Sequence, residues 1–172
     1  MDRRLTKGFD RFLEQQCGFV EFAYQDLGKA VARRDRDRIW FSIYALISAA
    51  ARISRLFWPT KKYAERGKEF RAKFDVDDDS PLHSRVVRDV FEHFDEHFEK
   101  WVMEGHCHHD GMLYVDSTIW LAPRSRISMV DRYRESLRFF DHPTMTVTFL
   151  NRTLNIDSII KETRRLRARV QK

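Results

Sequence analysis

Two long apolar repeats at helical spacing, parted by one short charged run, constrain this chain more than any other feature. In the first, Leu5, Phe9, Phe12, Phe19, Ala23, Leu27 and Ala30 follow three- and four-residue spacing, which predicts a helix from about Leu5 to Arg33. In the second, Ile39, Ile43, Leu46, Ala50, Ile53 and Phe57 do the same until Trp58-Pro59, where proline ends the helix. Between them, Arg33-Arg34-Asp35-Arg36-Asp37-Arg38 has no apolar period and reads as a short connection. The chain is therefore expected to be mainly α, with up-and-down helices packed side by side.

The same reading continues downstream. Tyr63, Gly67, Phe70 and Phe74 mark a third helix from about Thr60, with Thr60 as its cap, and Asp75-Val76-Asp77-Asp78-Asp79 forms an acidic loop. Ser80-Pro81 is a helix start, because the serine oxygen can take a free amide proton and proline needs no donor at the first helical position. A fourth helix is predicted from there to Gly105, with Val87, Phe91, Phe94, Phe98 and Trp101 as its buried stripe. After His106 the period changes. Met112 to Leu121 and Thr144 to Leu150 alternate like half-buried strands, with Asp141-His142-Pro143-Thr144 as a turn, which predicts a small antiparallel sheet. The last helix, about Asp157 to Val170, has Asp157 as cap and Ile159, Ile160, Thr163, Leu166 and Val170 as its apolar side. It also carries Lys161, Arg164, Arg165, Arg167 and Arg169, which read as a solvated face or as a basic surface for RNA.

Composition narrows the setting. A chain of 172 residues with 14 Phe and 4 Trp can fill one core, without disulfides or structural metal. Cys17 and Cys107 lie far apart in sequence and the N-terminus shows no apolar signal core, so a reducing, cytoplasmic setting is expected. The most apolar stretch, Ile39 to Phe57, contains Arg52, Arg55, Ser42, Ser48 and Ser54, which makes it a core helix rather than a membrane span. No membrane partner is expected. The net charge of +6 favours anionic partners such as nucleic acid.

The segment Arg88-Asp89-Val90-Phe91-Glu92-His93 carries the chemistry. On a helix, Asp89 and His93 stack one turn apart, as do Arg85 with Asp89 and Arg88 with Glu92. A carboxylate beside an imidazole can accept one ring N–H and leave the other nitrogen more basic, as a general acid or base requires. Arg88 can hold two phosphate oxygens with its planar fork. Arg88 and His93 are separated by about 140° and roughly 7.5 Å along an ideal helix, so one copy makes an open site. A two-fold dimer pairing this face with itself would bring two copies of each residue to one ligand. The plainer reading is a set of i,i+4 ion pairs on a solvated face.

This segment matches the R-x4-6-H signature of the HEPN superfamily, in which a polar residue follows the arginine and the motif lies on a late helix of a bundle. The chain resembles a HEPN-domain protein over roughly Leu5 to Met103. The resemblance implies a HEPN-like up-and-down four-helix bundle over residues 1–105 and leaves the tail unexplained; by its own pattern the tail, 106–172, is expected to be a small β-containing extension with the basic C-terminal helix, packed on the bundle as one unit. The resemblance further implies a homodimer and a metal-independent endoribonuclease that cleaves RNA through a 2′,3′-cyclic phosphate, without cofactor. By that resemblance Arg88 would stabilise the scissile phosphate, His93 would move protons, and Asp89 fills the polar position. Toxin or antiviral defence roles follow, with an antitoxin or a partner nucleotidyltransferase as possible companions. A catalytically silent module that binds nucleotides or nucleic acid is the alternative.

Other motifs carry less. His93-Phe94-Asp95-Glu96-His97 reads as H-x-x-E-H, the inverted zinc-protease pattern, but zinc needs a third ligand and such enzymes are built on larger domains. Paired Glu-x-x-His motifs for a di-iron bundle are lacking. His106-Cys107-His108-His109-Asp110 could grasp a metal, or be a polar loop after a helix. Trp40, Tyr44, Phe57 and Trp58 could stack on bases, but at helical spacing they are assigned to the core.

Overall fold

A computed structural model describes residues 3–84, 94–103, 116–118, 136–149 and 152–171. The protein is mainly helical with a small sheet. Its chain divides into two compact units, Met1–Arg88 with Asp157–Lys172, and Asp89–Ile156. The expected division fell instead at residue 105, with the last helix in the extension. The last helix joins the first unit because its side chains bond to residues near the N-terminus, as described below.

In the first unit, α1 (Arg3–Arg33) and α2 (Arg36–Phe57) pack along each other as a hairpin. The link is two residues, shorter than the charged run suggested. Arg34 adopts a left-handed φ of 55°, so that its N–H and that of Asp35 turn back to the carbonyls of Val31 and Ala30, each at 3.0 Å. The Asp35 carboxylate then accepts the Arg38 amide at 3.0 Å and opens α2 at Arg36.

The buried stripe of α1 is displaced from the expected one. Leu13, Cys17, Val20, Ala23, Leu27 and Ala30 are buried, whereas Leu5, Phe12 and Phe19 are exposed. Phe12 lies 100° from Leu13 around the helix, so choosing the largest residues as the face rotated it away from α2. In α2 the expectation holds: Ile39, Ile43, Leu46, Ala50, Ile53 and Phe57 are all buried. By length and composition α2 could cross a membrane, but most of its apolar window is buried within the fold.

Past Pro59 the chain makes a 3-10 turn (Lys61–Tyr63) and then α3 (Ala64–Phe74). Thr60 does not cap with its hydroxyl; its carbonyl takes the Tyr63 amide at 2.8 Å, as a 3-10 start requires. Phe57, Phe70 and Phe74 form a ring cluster with centroids 4.9 to 6.1 Å apart. Asp75 closes α3 in the left-handed region, φ 53°. Ser80 does start a turn, its oxygen accepting Leu82 N–H at 3.4 Å, but that turn is 3-10 (Pro81–His83) and ends at once. Ser84 is extended, ψ 134°, so no continuous helix runs from Ser80.

Among its described residues the second unit contains α4 (Phe94–Met103) and four strands, β1 (Asp116–Thr118), β2 (Arg138–Asp141), β3 (Thr146–Phe149) and β4 (Arg152–Asn155), in that spatial order. The β2, β3 and β4 strands are antiparallel, while β1 pairs in parallel with β2. The expectation of an antiparallel sheet thus holds for three strands and fails at the β1 edge. The turn between β2 and β3 was legible, but β2 itself was not. Phe139 and Phe140 are both buried, so neither face alternates with water and the two-residue period is lost. Phe140 pairs with Val147 and Val147 with Leu154, forming one buried row across three strands.

The final helix, α5 (Ile156–Val170), buries Ile159, Ile160, Thr163 and Leu166. Asp157 stands inside its first turn rather than before it and accepts the Tyr24 hydroxyl at 3.1 Å.

Gly67 fixes how closely α3 approaches the end of α2. A Cβ there would lie 2.5 Å from Pro59 Cδ and 2.7 Å from the Phe57 carbonyl oxygen. Gly67→Ala is expected to cost about 1–3 kcal/mol, despite alanine's better helix propensity, because backbone must move. A denaturant titration measures it; an unchanged midpoint contradicts this packing.

Candidate functional site

Arg88, Asp89 and His93 lie outside the described residues, as do His106, Cys107, His108, His109 and Asp110. Of the H-x-x-E-H pattern, Glu96 and His97 stand on α4, and the His97 ring meets Phe149 edge-on with centroids 5.6 Å apart. Among the described residues no three His, Cys, Asp or Glu side chains gather as a metal site. Trp40, Phe57 and Trp58 are buried as expected, while Tyr44 is half-buried.

The basic residues of α5, expected on a solvated or RNA-facing side, are largely engaged within the protein. Arg164 holds Glu21 of α1 with two bonds, 2.8 and 2.9 Å. Arg165 holds Glu162 in the same way, at 2.8 and 2.7 Å. Arg165 and Arg169 both donate to the Phe74 carbonyl, at 3.1 and 2.7 Å, and Arg169 also reaches Asp75 at 3.0 Å. These cations sit at the negative end of α3, where they offset its dipole and satisfy its last carbonyl. Of the other two, Lys161 is exposed, and Arg167 is half-buried with its Nε without a hydrogen-bond partner among the described residues.

A second cluster joins Trp58, which the sequence assigned to the core, to residues it did not single out as a site. The His83 imidazole stacks on the Trp58 indole, centroids 4.3 Å apart and planes 7° from parallel. Its Nδ1 lies 3.0 Å from the Asp78 carbonyl oxygen. A carbonyl can only accept, so Nδ1 carries a proton. The Trp58 N–H donates to the Asp78 carboxylate at 2.9 Å and, with Arg71 nearby, holds that carboxyl below the usual range. Arg71 donates to the Phe57 carbonyl at 2.6 Å and lies over the indole. This brings an imidazole beside a cation and a carboxylate. All but His83 are committed to joining α2, α3 and the acidic loop. In the sequence, Trp58-Pro59 and Ser80-Pro81 read as boundary marks and Trp58 as a core residue, and nothing there relates Trp58 to His83.

Two buried ionisable groups complete the picture. Burial pushes the Cys17 thiol up to about 12, so it stays protonated at neutral pH. On β2, burial pulls the Arg138 guanidinium down to about 10, which leaves it charged at neutral pH. Neither group is a nucleophile or a base near neutrality.

No family model, curated protein or solved structure matches this chain.

Glu21 is held below the usual carboxylate range chiefly by its bonds to Arg164. A lowered folded-state value contributes stability above the unfolded value, and that contribution is lost as pH falls through the folded one. Glu21→Gln should therefore cost up to about 1 kcal/mol at pH 7, discounted for the exposure of Arg164. The gap to wild type should shrink as pH falls below the unfolded value of about 4.3 and on through the lower folded one, as Glu21 takes up its proton. Chemical denaturation at pH 7 and pH 3.5 reads both; a gap that is constant with pH rejects the pairing. Cys17, in protein whose Cys107 is replaced by Ser, should react with a thiol reagent at pH 8 only after denaturant is added. Labelling of the native protein within minutes would show the thiol to be accessible.

Proposed function

We propose that this chain is a HEPN-like, metal-independent endoribonuclease of bacterial toxin or phage-defence type that works as a homodimer. The observation that carries this reading is the segment Arg88-Asp89-Val90-Phe91-Glu92-His93, with a polar residue after the arginine and a histidine five positions on. The finer architecture proposed is the four-helix bundle of that superfamily, to which the α1–α2 hairpin would contribute half. The exposed apolar residues Leu5, Phe12 and Phe19 of α1 support a second copy, since they form an apolar line along one helix.

In this reading the reaction is an in-line attack of the RNA 2′-hydroxyl on the adjacent phosphorus. His93 takes the hydroxyl proton or returns one to the leaving 5′-oxygen, the second protomer's copy serving the other step. Arg88 binds the non-bridging oxygens as charge builds on them. Asp89, four residues before His93 in sequence, orients its ring and raises its basicity. The product is a 2′,3′-cyclic phosphate, and no metal or cofactor takes part.

Arg88→Ala and His93→Ala are expected each to lower cleavage of total RNA in chelator by at least 100-fold, in line with loss of a general acid–base or a phosphate-binding cation. Asp89→Asn should lower it less, by about tenfold. Gel analysis with end-group mapping of the 2′,3′-cyclic product is the readout. Cleavage that survives both alanine changes removes the proposal. A wild-type protein that binds RNA but leaves it intact favours the silent binding module instead.

A further inference from the structure

The charged run between the two long helices has a geometry that the ribonuclease motif does not use. Where α1 turns into α2, Lys29, Arg33, Arg38 and Phe41 line a cavity of about 310 Å³ together with Asp26 and Asp35. Ligand pockets begin at about this size, so the space suits one nucleotide rather than a large ligand. The charges are unequal in what they already do. Asp26 is paired with Lys29 at 2.9 Å, and Asp35 is engaged by the amide of Arg38 as the cap of α2. Among the described residues no carboxylate pairs with the guanidinium of Arg33 or of Arg38, and both residues are exposed. Phe41 is 62% exposed although it stands on the most apolar helix, and the Arg38 guanidinium lies 5.9 Å from its ring centre.

An exposed aromatic ring beside two unpaired guanidinia in a shallow cavity is what single-stranded nucleic acid recognises. The guanidinia take phosphate oxygens, the ring takes a base face, and neither contact depends on sequence. The fold sets the backbone positions from which these side chains extend. Arg33 ends α1, Arg38 and Phe41 lie in the first two turns of α2, and the left-handed Arg34 with the Asp35 cap fixes the angle between them.

We propose that this corner is a single-stranded RNA-binding site, with one phosphate held between Arg33 and Arg38 and the adjoining base stacked on Phe41. The choice of RNA as the strand rests on the ribonuclease reading; the cavity, the free guanidinia and the exposed ring do not. The site would hold the substrate at a distance from the reacting bond, so it serves affinity and leaves the chemical step to other residues.

The test is fluorescence anisotropy of the full chain with a labelled 2′-fluoro oligouridylate, which lacks the attacking hydroxyl and stays intact whatever the activity. Arg33→Glu with Arg38→Glu is expected to weaken binding by at least tenfold and to flatten its salt dependence by about one phosphate contact. Phe41→Ala should weaken it about fivefold or more with the salt slope unchanged, because stacking releases no counterions. Arg11→Glu, an exposed change elsewhere on α1, controls for net charge. If the double glutamate variant loses its helical circular dichroism, Arg33→Gln with Arg38→Gln replaces it. Affinities within twofold of wild type, or a loss no larger than that of Arg11→Glu, overturn the proposal. So does wild-type binding to phosphatidylserine–phosphatidylcholine vesicles with none to the oligonucleotide. Cleavage that survives Arg88→Ala and His93→Ala removes the ribonuclease reading alone, since the binding arm does not depend on it.

Discussion

The first unit is joined by arginines that reach the carbonyl ends of neighbouring helices. A helix leaves its last carbonyls without intrahelical donors, and partial negative charge collects there. Arg71 of α3 takes the Phe57 carbonyl at the end of α2, and Arg165 and Arg169 of α5 take the Phe74 carbonyl at the end of α3. Each arginine therefore ties the end of one helix to the side of a later one. The aromatic cluster of Phe57, Phe70 and Phe74 lies between these ties, so apolar packing and carbonyl capping fix the same junction. Hydrogen bonds to charged donors contribute more than neutral ones, which is why three arginines can matter beside a core of this size.

These bonds also change how the chain's charge is understood. A net charge of +6 suggests a basic protein seeking polyanions, but the positive groups are of two kinds. Those of α5 are mostly directed inward to carboxylates and carbonyls. Those of the α1–α2 turn are directed outward, with Arg33 and Arg38 beside an exposed ring. The more basic-looking segment is thus the less available one, and total charge does not distinguish them.

Much of the helical content was legible because amphipathic periodicity is strong over 20 to 30 residues, and α1 to α3 lie close to where that pattern puts them. Faces were less legible than lengths. On α1 large residues lie on both sides of the true stripe, and burial follows what α2 can cover rather than which side chain is most apolar. Ser80-Pro81 is a sound start signal, but a start does not fix how long a helix continues, and Ser84 leaves the helical region after one turn. Strand β2 was missed because both its faces are buried, and β4 because Arg152 and Thr153 are exposed and only Leu154 of the strand is buried. Of the candidate residues, the motif Arg88, Asp89 and His93 came from the sequence alone. The Trp58–His83 stack and the Arg33–Arg38–Phe41 corner required coordinates, since each joins residues that no single period relates.

The left-handed Asp75 that ends α3 and meets Arg169 has a further consequence, for the order in which the protein can assemble. Its partner lies 94 positions later in the chain, and Glu21 waits 143 positions for Arg164. The first unit is therefore discontinuous in sequence, interrupted by the whole of the second. Contacts so distant along the chain close large loops and form late, after local helices. During synthesis the hairpin can form early, but the carbonyl end of α3 stays open to water until α5 has emerged. The second unit folds, in effect, as a parenthesis, and the sentence around it closes only with the last helix.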